Sequence, residues 1–153
     1  MSEENQQFVI QKIYLKDVSF ESPNSPQAFT DEGWQPQINV QLNSSHQSIA
    51  QDTYEVVLEI TVTANHNEKT AFLVELKQAG IFTITGFPQE NLDGMLGAYC
   101  PETLFPFARE AISELISKGG FPQLLLQPVN FNALYNQKVQ QQAAAQSEKD
   151  TAH

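Results

Sequence analysis

Chemistry-bearing residues are scarce in this chain, which has a single cysteine, a single arginine and three histidines. A lone cysteine closes no intrachain disulfide, so the chain suits a reducing compartment. As a nucleophile Cys100 would need a base within reach, normally histidine. His46 and His66 fall in predicted loops and His153 is the last residue, so Cys100 reads as structural. There is no CxxC and no pair of histidines, which argues against zinc. There is no GxGxxG and no P-loop, which removes the common nucleotide signatures. No enzyme activity, metal or cofactor is therefore expected. Cations are few as well: eight Lys and Arg stand against eighteen Asp and Glu, for a net charge of −10. Such a surface repels nucleic-acid backbones and anionic membranes. No apolar run reaches the length of a membrane span. The opening MSEENQQ is acidic and polar, unlike a signal peptide, so the expected location is the cytoplasm.

What the chain does have is an ordinary apolar content of 41% and a surplus of aromatic groups. Its length fits one domain, expected over residues 8–142, with residues 1–7 and the low-complexity tail 143–153 flexible. Four strands are expected. Phe8 to Phe20 is rich in β-branched and aromatic residues. Ile38, Val40 and Leu42 alternate with polar neighbours, and Tyr54 to Ala64 alternates most cleanly. Phe72, Val74 and Leu76 repeat the pattern through Phe82 and Ile84. The turn Asn65-His66-Asn67-Glu68 makes the last two a hairpin. One polar face predicts an antiparallel sheet covered on one side, with Glu55 and Glu59 as solvated charges on the open face.

The second half turns helical. Leu104, Phe107, Ala108, Ala111, Ile112, Leu115 and Ile116 keep helical spacing. Pro101 suits a first turn, and Gly119-Gly120 supplies a stop. A second helix is predicted from the N-cap candidate Asn130, with Phe131, Leu134, Tyr135 and Val139 as its stripe. The resulting class is α+β, with a four-stranded antiparallel sheet and two main helices. Between the first two strands runs a long connection, Glu21 to Pro36, with three prolines and two large apolar groups, Phe29 and Trp34. These either cap the sheet edge or form a binding surface, since long loops in compact domains are often functional. Burying one large apolar side chain yields roughly 1.5–3 kcal/mol. Association costs on the order of 4–15 kcal/mol. A greasy surface of this kind would need several anchors along an unfolded segment.

Eight segments taken in order, IYLKDVSFESPNSP (13–26), WQP (34–36), YEVVLEITVTA (54–64), TAFLVELKQAGIFTI (70–84), GAYCP, LFPFARE, GFPQL and PVNFNALY, resemble the bacterial SecB export chaperones. The resemblance covers roughly Phe8 to Gln142. It implies a homotetramer, a dimer of dimers, with the helices on one face of each sheet. It implies an ATP-independent holdase that keeps precursor proteins unfolded and delivers them to the SecA motor. By the same resemblance, Asp17, Glu21, Leu73 and Glu75 would dock SecA. Phe29, Trp34, Leu134 and Tyr135 would line the client groove. Val74, Leu76, Gln78, Ala108 and Ala111 would belong to the oligomer interface, Val74 standing where the family suggests cysteine. The resemblance leaves open a SecB-like chaperone of a toxin–antitoxin pair. The residues alone also leave open a non-catalytic oligomeric adaptor.

Overall fold

The computed structural model describes residues 5–151. The first four residues and the last two, parts of the stretches expected to be flexible, lie outside it. Four strands form one antiparallel sheet: β1 (Gln7–Glu21), β2 (Gln37–Ala50), β3 (Thr53–His66) and β4 (Lys69–Thr85). Their order is β1-β4-β3-β2. The β3–β4 hairpin turns at Asn67 and Glu68, both at positive φ, the geometry of a tight two-residue turn. β2 runs eight residues past the alternating segment, through Asn43–Ala50, because these residues pair with the N-terminal half of β3 down to Ala50 opposite Thr53. Pairing here overrides a polar, patternless sequence. His46 accordingly lies on β2, and His66 closes β3, rather than in loops.

The strand order explains the long connection. β1 lies on one edge and β2 on the other, so residues 22–36 must cross the end of the sheet, three strand spacings or roughly 14 Å. The loop is tied down on the way. Ser22 Oγ donates to the Ala71 carbonyl at 3.1 Å and Asn24 Nδ2 to the Thr70 carbonyl at 2.8 Å. At the other shoulder the Gln35 N–H donates to His66 Nδ1 at 3.4 Å.

Helix begins earlier than Pro101. α1 (Gln89–Gly94), a π-helical turn (Met95–Tyr99) and α2 (Cys100–Lys118) follow without a break. Pro101 brings no N–H and crowds the carbonyl four residues back. The widened turn just before it absorbs that misfit, with the Cys100 N–H reaching back to Met95. The buried stripe of α2 is Leu104, Ala108, Ile112 and Ile116, which covers Val56, Leu58, Ile60, Val62, Val74 and Leu76 of the two central strands. α2 ends as expected at Gly119-Gly120, with Gly120 at positive φ and the Phe121 N–H bonded to the Ile116 carbonyl. α3 (Phe131–Thr151) starts at the expected cap, where Asn130 Oδ1 accepts from the Ala133 N–H at 3.0 Å. Only its first turns are docked. Phe131 meets Phe105 edge to face at 5.6 Å, and Tyr135 lies so close to Gly97 that a Cβ there would fall 2.4 Å from its ring. Side chains from Asn136 to Lys149 are exposed.

Candidate functional site

The crossing loop builds an aromatic shelf at one end of the sheet. Phe121, delivered by the glycine stop of α2, is the hub. Its ring centroid lies 4.9 Å from Phe29, 5.5 Å from Trp34 and 5.1 Å from Phe72. Trp34 in turn sits 5.2 Å from the imidazole of His66. Phe72 and Phe121 are buried, Trp34 is partly buried, and Phe29 is 50% exposed. Leu125, just beyond Phe121, is 62% exposed. Both loop aromatics therefore fold down over the sheet end, and one of them keeps half its ring in water.

Leu134 and Tyr135 stand elsewhere. They flank α3 beside two open cavities, one of about 740 Å³ reaching Leu42, His46 and Phe131, the other of about 620 Å³ reaching Phe8, Phe87, Met95 and Tyr99. Neither cavity touches the Phe29–Trp34 shelf, so the four groove residues fall on two separate apolar surfaces of one chain. Val74, Leu76, Gln78 and Ala108 are buried in the chain's own interior, and Ala111 is partly exposed on α2. The Gln78 side-chain amide donates to the Tyr14 carbonyl at 3.0 Å.

The opposite, uncovered face of the sheet carries the charged rows, with Leu73, Val57, Ala79 and Ile81 among them. Register places Asp17 across from Lys77, Ser19 across from Glu75 and Glu21 across from Leu73. Glu59 and Thr61 continue the same rows on β3. Directly paired residues share a face. Asp17, Glu21, Leu73 and Glu75 therefore form one acidic patch with a single apolar member, and its three carboxylates are exposed.

Glu55, on this same face, is not the solvated charge that alternation suggested, being only 8% exposed. It accepts from Lys16 Nζ at 2.8 Å, from the Tyr14 hydroxyl and from Gln47 Nε2 at 3.2 Å. The Lys16 bond, then the Tyr14 bond, hold its carboxyl below the usual range. Burial, reinforced by Glu55, pushes the Tyr14 phenol up to about 12. Strand alternation locates Glu55 but does not show that Tyr14, which faces the small Ala79, reaches it diagonally from β1 across β4, where Glu55 itself faces Ile81.

His66 was also missed, although the alternation that buries Val62 and Ala64 points it inward if continued two residues. Cys100 is fully buried, and burial pushes its thiol up to about 12, so it offers no thiolate near neutral pH. Among the described residues no group of three His, Cys, Asp or Glu could hold a metal, and no helix is long and apolar enough to cross a membrane.

An open four-stranded antiparallel sheet with one helix across its middle places the chain in the α+β class. The SecB-like chaperone of Mycobacterium tuberculosis, solved in complex with an antitoxin peptide, superposes with a TM-score of 0.66 over 80% of this chain and 90% of its own, at 13% identity. At that identity the likeness speaks for the fold. Residues 1–142 match the family described as preprotein translocase subunit SecB. The protein-export protein SecB of Halorhodospira halophila is 56% identical over 97% of this chain and 84% of its own length. That of Methylococcus capsulatus is 54% identical over the full length of both. The chain belongs to the SecB family and is a protein-export chaperone.

Proposed function

We propose that the chain holds unfolded precursor proteins without nucleotide, in the cytoplasm, as a dimer of dimers, and hands them to the SecA motor. The observation that carries this reading is the aromatic shelf of Phe29, Trp34 and Phe121, with Phe29 and Leu125 left open to water on an export chaperone. Apolar pockets discriminate poorly between similar side chains, which suits a binder of many clients. Leu134 and Tyr135 add a second surface along α3, so a long unfolded segment could be gripped at more than one place. No residue is assigned a catalytic role, and the buried Cys100 thiol supports that. The acidic patch of Asp17, Glu21 and Glu75 with Leu73 is the motor-docking surface in this reading, since a basic partner would be steered to it. Val74, Leu76, Gln78 and Ala108 would influence assembly from beneath α2, by shaping the seat of the helix, with Ala111 as the member open to another helix.

The test is to dilute a denatured precursor into buffer with and without the protein and follow aggregation and refolding. Suppression without nucleotide, at about one tetramer per client, is the expected result. Absence of any effect on several unfolded clients would leave the oligomeric adaptor as the better description. Glu75→Lys should weaken motor binding, increasingly so at low salt, and leave client binding intact. Loss of both together would show that the two surfaces are not separate.

A further inference from the structure

The open face of the sheet is built of rows, one residue from each strand, and the rows differ in charge. Toward the crossing loop stand Glu21, Leu73, Thr63 and Asn39, then Ser19, Glu75, Thr61 and Gln41. Each of these two rows holds one carboxylate and no cation. The next row, Asp17, Lys77, Glu59 and Asn43, holds two carboxylates with a lysine between them. Farther along, Lys16 is bonded to Glu55, and Lys12 stands across from Ile81. Negative charge therefore thins out from the loop end of the sheet toward the other end, and Lys77 begins the decline.

Lys77 differs from the lysines that have a carboxylate of their own. Lys16 lies 2.8 Å from Glu55 and Lys118 lies 3.0 Å from Glu114, and these are the two ion pairs among the described residues. Lys77 takes part in neither, although Asp17 and Glu59 face it from the neighbouring strands and Glu75 precedes it by two residues on its own. Neighbouring strands are about 4.8 Å apart, and alternate residues of one strand about 6.8 Å. One ammonium is thus a single position away from three carboxylates and is committed to none of them. Lys77 is half-buried, whereas all three carboxylates are exposed. These spacings are within a Debye length at physiological salt, so its charge acts on all three and weakens each as a target for a cation.

We propose that Lys77 is a specificity-determining residue of the docking surface. By neutralising the middle of the open face it confines strong attraction to the Glu21–Leu73–Glu75 end, and so selects a partner segment with an apolar side chain among its cations over one with cations alone. The proposal rests on the reading of that patch as the motor-docking surface. Specificity is a difference of affinities, and it rises when the wrong partner is weakened. A polycation draws its whole affinity from the carboxylates of the face, so a lysine among them costs it most. A segment seated on Leu73 draws part of its affinity from apolar contact, which the charge of Lys77 leaves untouched. In a chain of net charge −10 such a filter has work to do, because the rest of the surface attracts basic segments without distinction.

The full-length protein is compared with its Lys77→Gln and Lys77→Arg variants. Two probes are used: the purified SecA motor, and decalysine, which carries cations alone. Affinity for each is measured at low and at high salt, and far-UV circular dichroism with thermal unfolding confirms the fold of each variant. At low salt Lys77→Gln should bind decalysine about fivefold more tightly than the unmodified protein does, and the motor no more than about twofold more tightly. The gain for decalysine should shrink as salt is raised. Lys77→Arg returns the charge with a different side-chain shape and should restore the discrimination. Equal gains for the two probes, or no gain for decalysine, overturn the proposal. So does a gain in Lys77→Arg that matches the gain in Lys77→Gln, because the charge would then not be the agent. Glu75→Lys separates the two layers. If motor binding survives Glu75→Lys, the docking-surface reading fails. If motor binding falls there while Lys77→Gln leaves decalysine binding unchanged, only the role of Lys77 fails.

Discussion

Val62 on β3 and Val40 on β2 stand directly opposite one another and point to the same face, yet Val62 is wholly buried and Val40 is 43% exposed. Leu76 and Val18 repeat the contrast across β4 and β1. The side chains are alike, the alternation is alike, and only the cover differs. One helix with its side chains is about 10–12 Å across, and strands are spaced about 4.8 Å apart. α2 can therefore roof two strands, and it roofs the central pair. The greasy positions of both edges, Ile10, Leu15 and Val18 on β1 and Ile38 and Val40 on β2, remain open. Alternation in a strand states which face is apolar. It does not state whether the chain itself possesses enough material to cover that face.

Substitution at the covered site should break the contrast most visibly. Val62→Asp places an unpaired carboxylate in the roofed core and should cost at least about 4 kcal/mol, or prevent folding, as read by urea unfolding. Next in size is the charged face. Glu55→Ala leaves the Tyr14 hydroxyl and Lys16 without their acceptor and should cost about 2 kcal/mol at neutral pH. Because the folded protein holds the Glu55 carboxyl below its usual range, that contribution is present above the unfolded value near 4.5 and is lost as pH falls through the lower folded value. The difference in stability between the two proteins should therefore shrink on acidification below about pH 4.5, and a constant difference would assign Glu55 a role in packing alone. Smallest is Val40→Ser, expected to change protomer stability by no more than about 0.5 kcal/mol. A penalty approaching that at Val62 would mean that another surface covers β2 in solution, and light scattering would then show the mass of the assembly.

The same contrast separates what was legible in the residues from what was not. Strands with a covered partner, β3 and β4, were read from alternation with their hairpin. The first half of β2 was read the same way, whereas Asn43–Ala50 has no pattern of its own and is a strand only because β3 holds it there. The start of the long helical run was hidden by Pro101, which local rules place in a first helical turn. The π-helical turn that tolerates Pro101 leaves no local signature. Asp17, Glu21, Leu73 and Glu75 came from the family resemblance, and their common face followed once register was known. Phe29 and Trp34 were visible as large apolar groups in a loop, but their hub, Phe121, approaches them from far along the chain. Tyr14 with Glu55, and His66 with Gln35, are likewise meetings of distant segments, which periodicity within one strand does not encode.

The crossing loop has a kinetic corollary. β2, β3 and β4 are joined by two tight hairpins, so their pairing closes only short stretches of chain. β1 pairs Gln7 with Thr85 and Glu21 with Leu73, and must wait for the whole meander to exist before its own ladder can form. Loop-closure entropy and contact order both place that step late. In folding kinetics, Ile13→Val on β1 should speed unfolding and leave the folding rate nearly unchanged, whereas Ile60→Val on β3 should slow folding. The strand written first in the chain is the last to arrive.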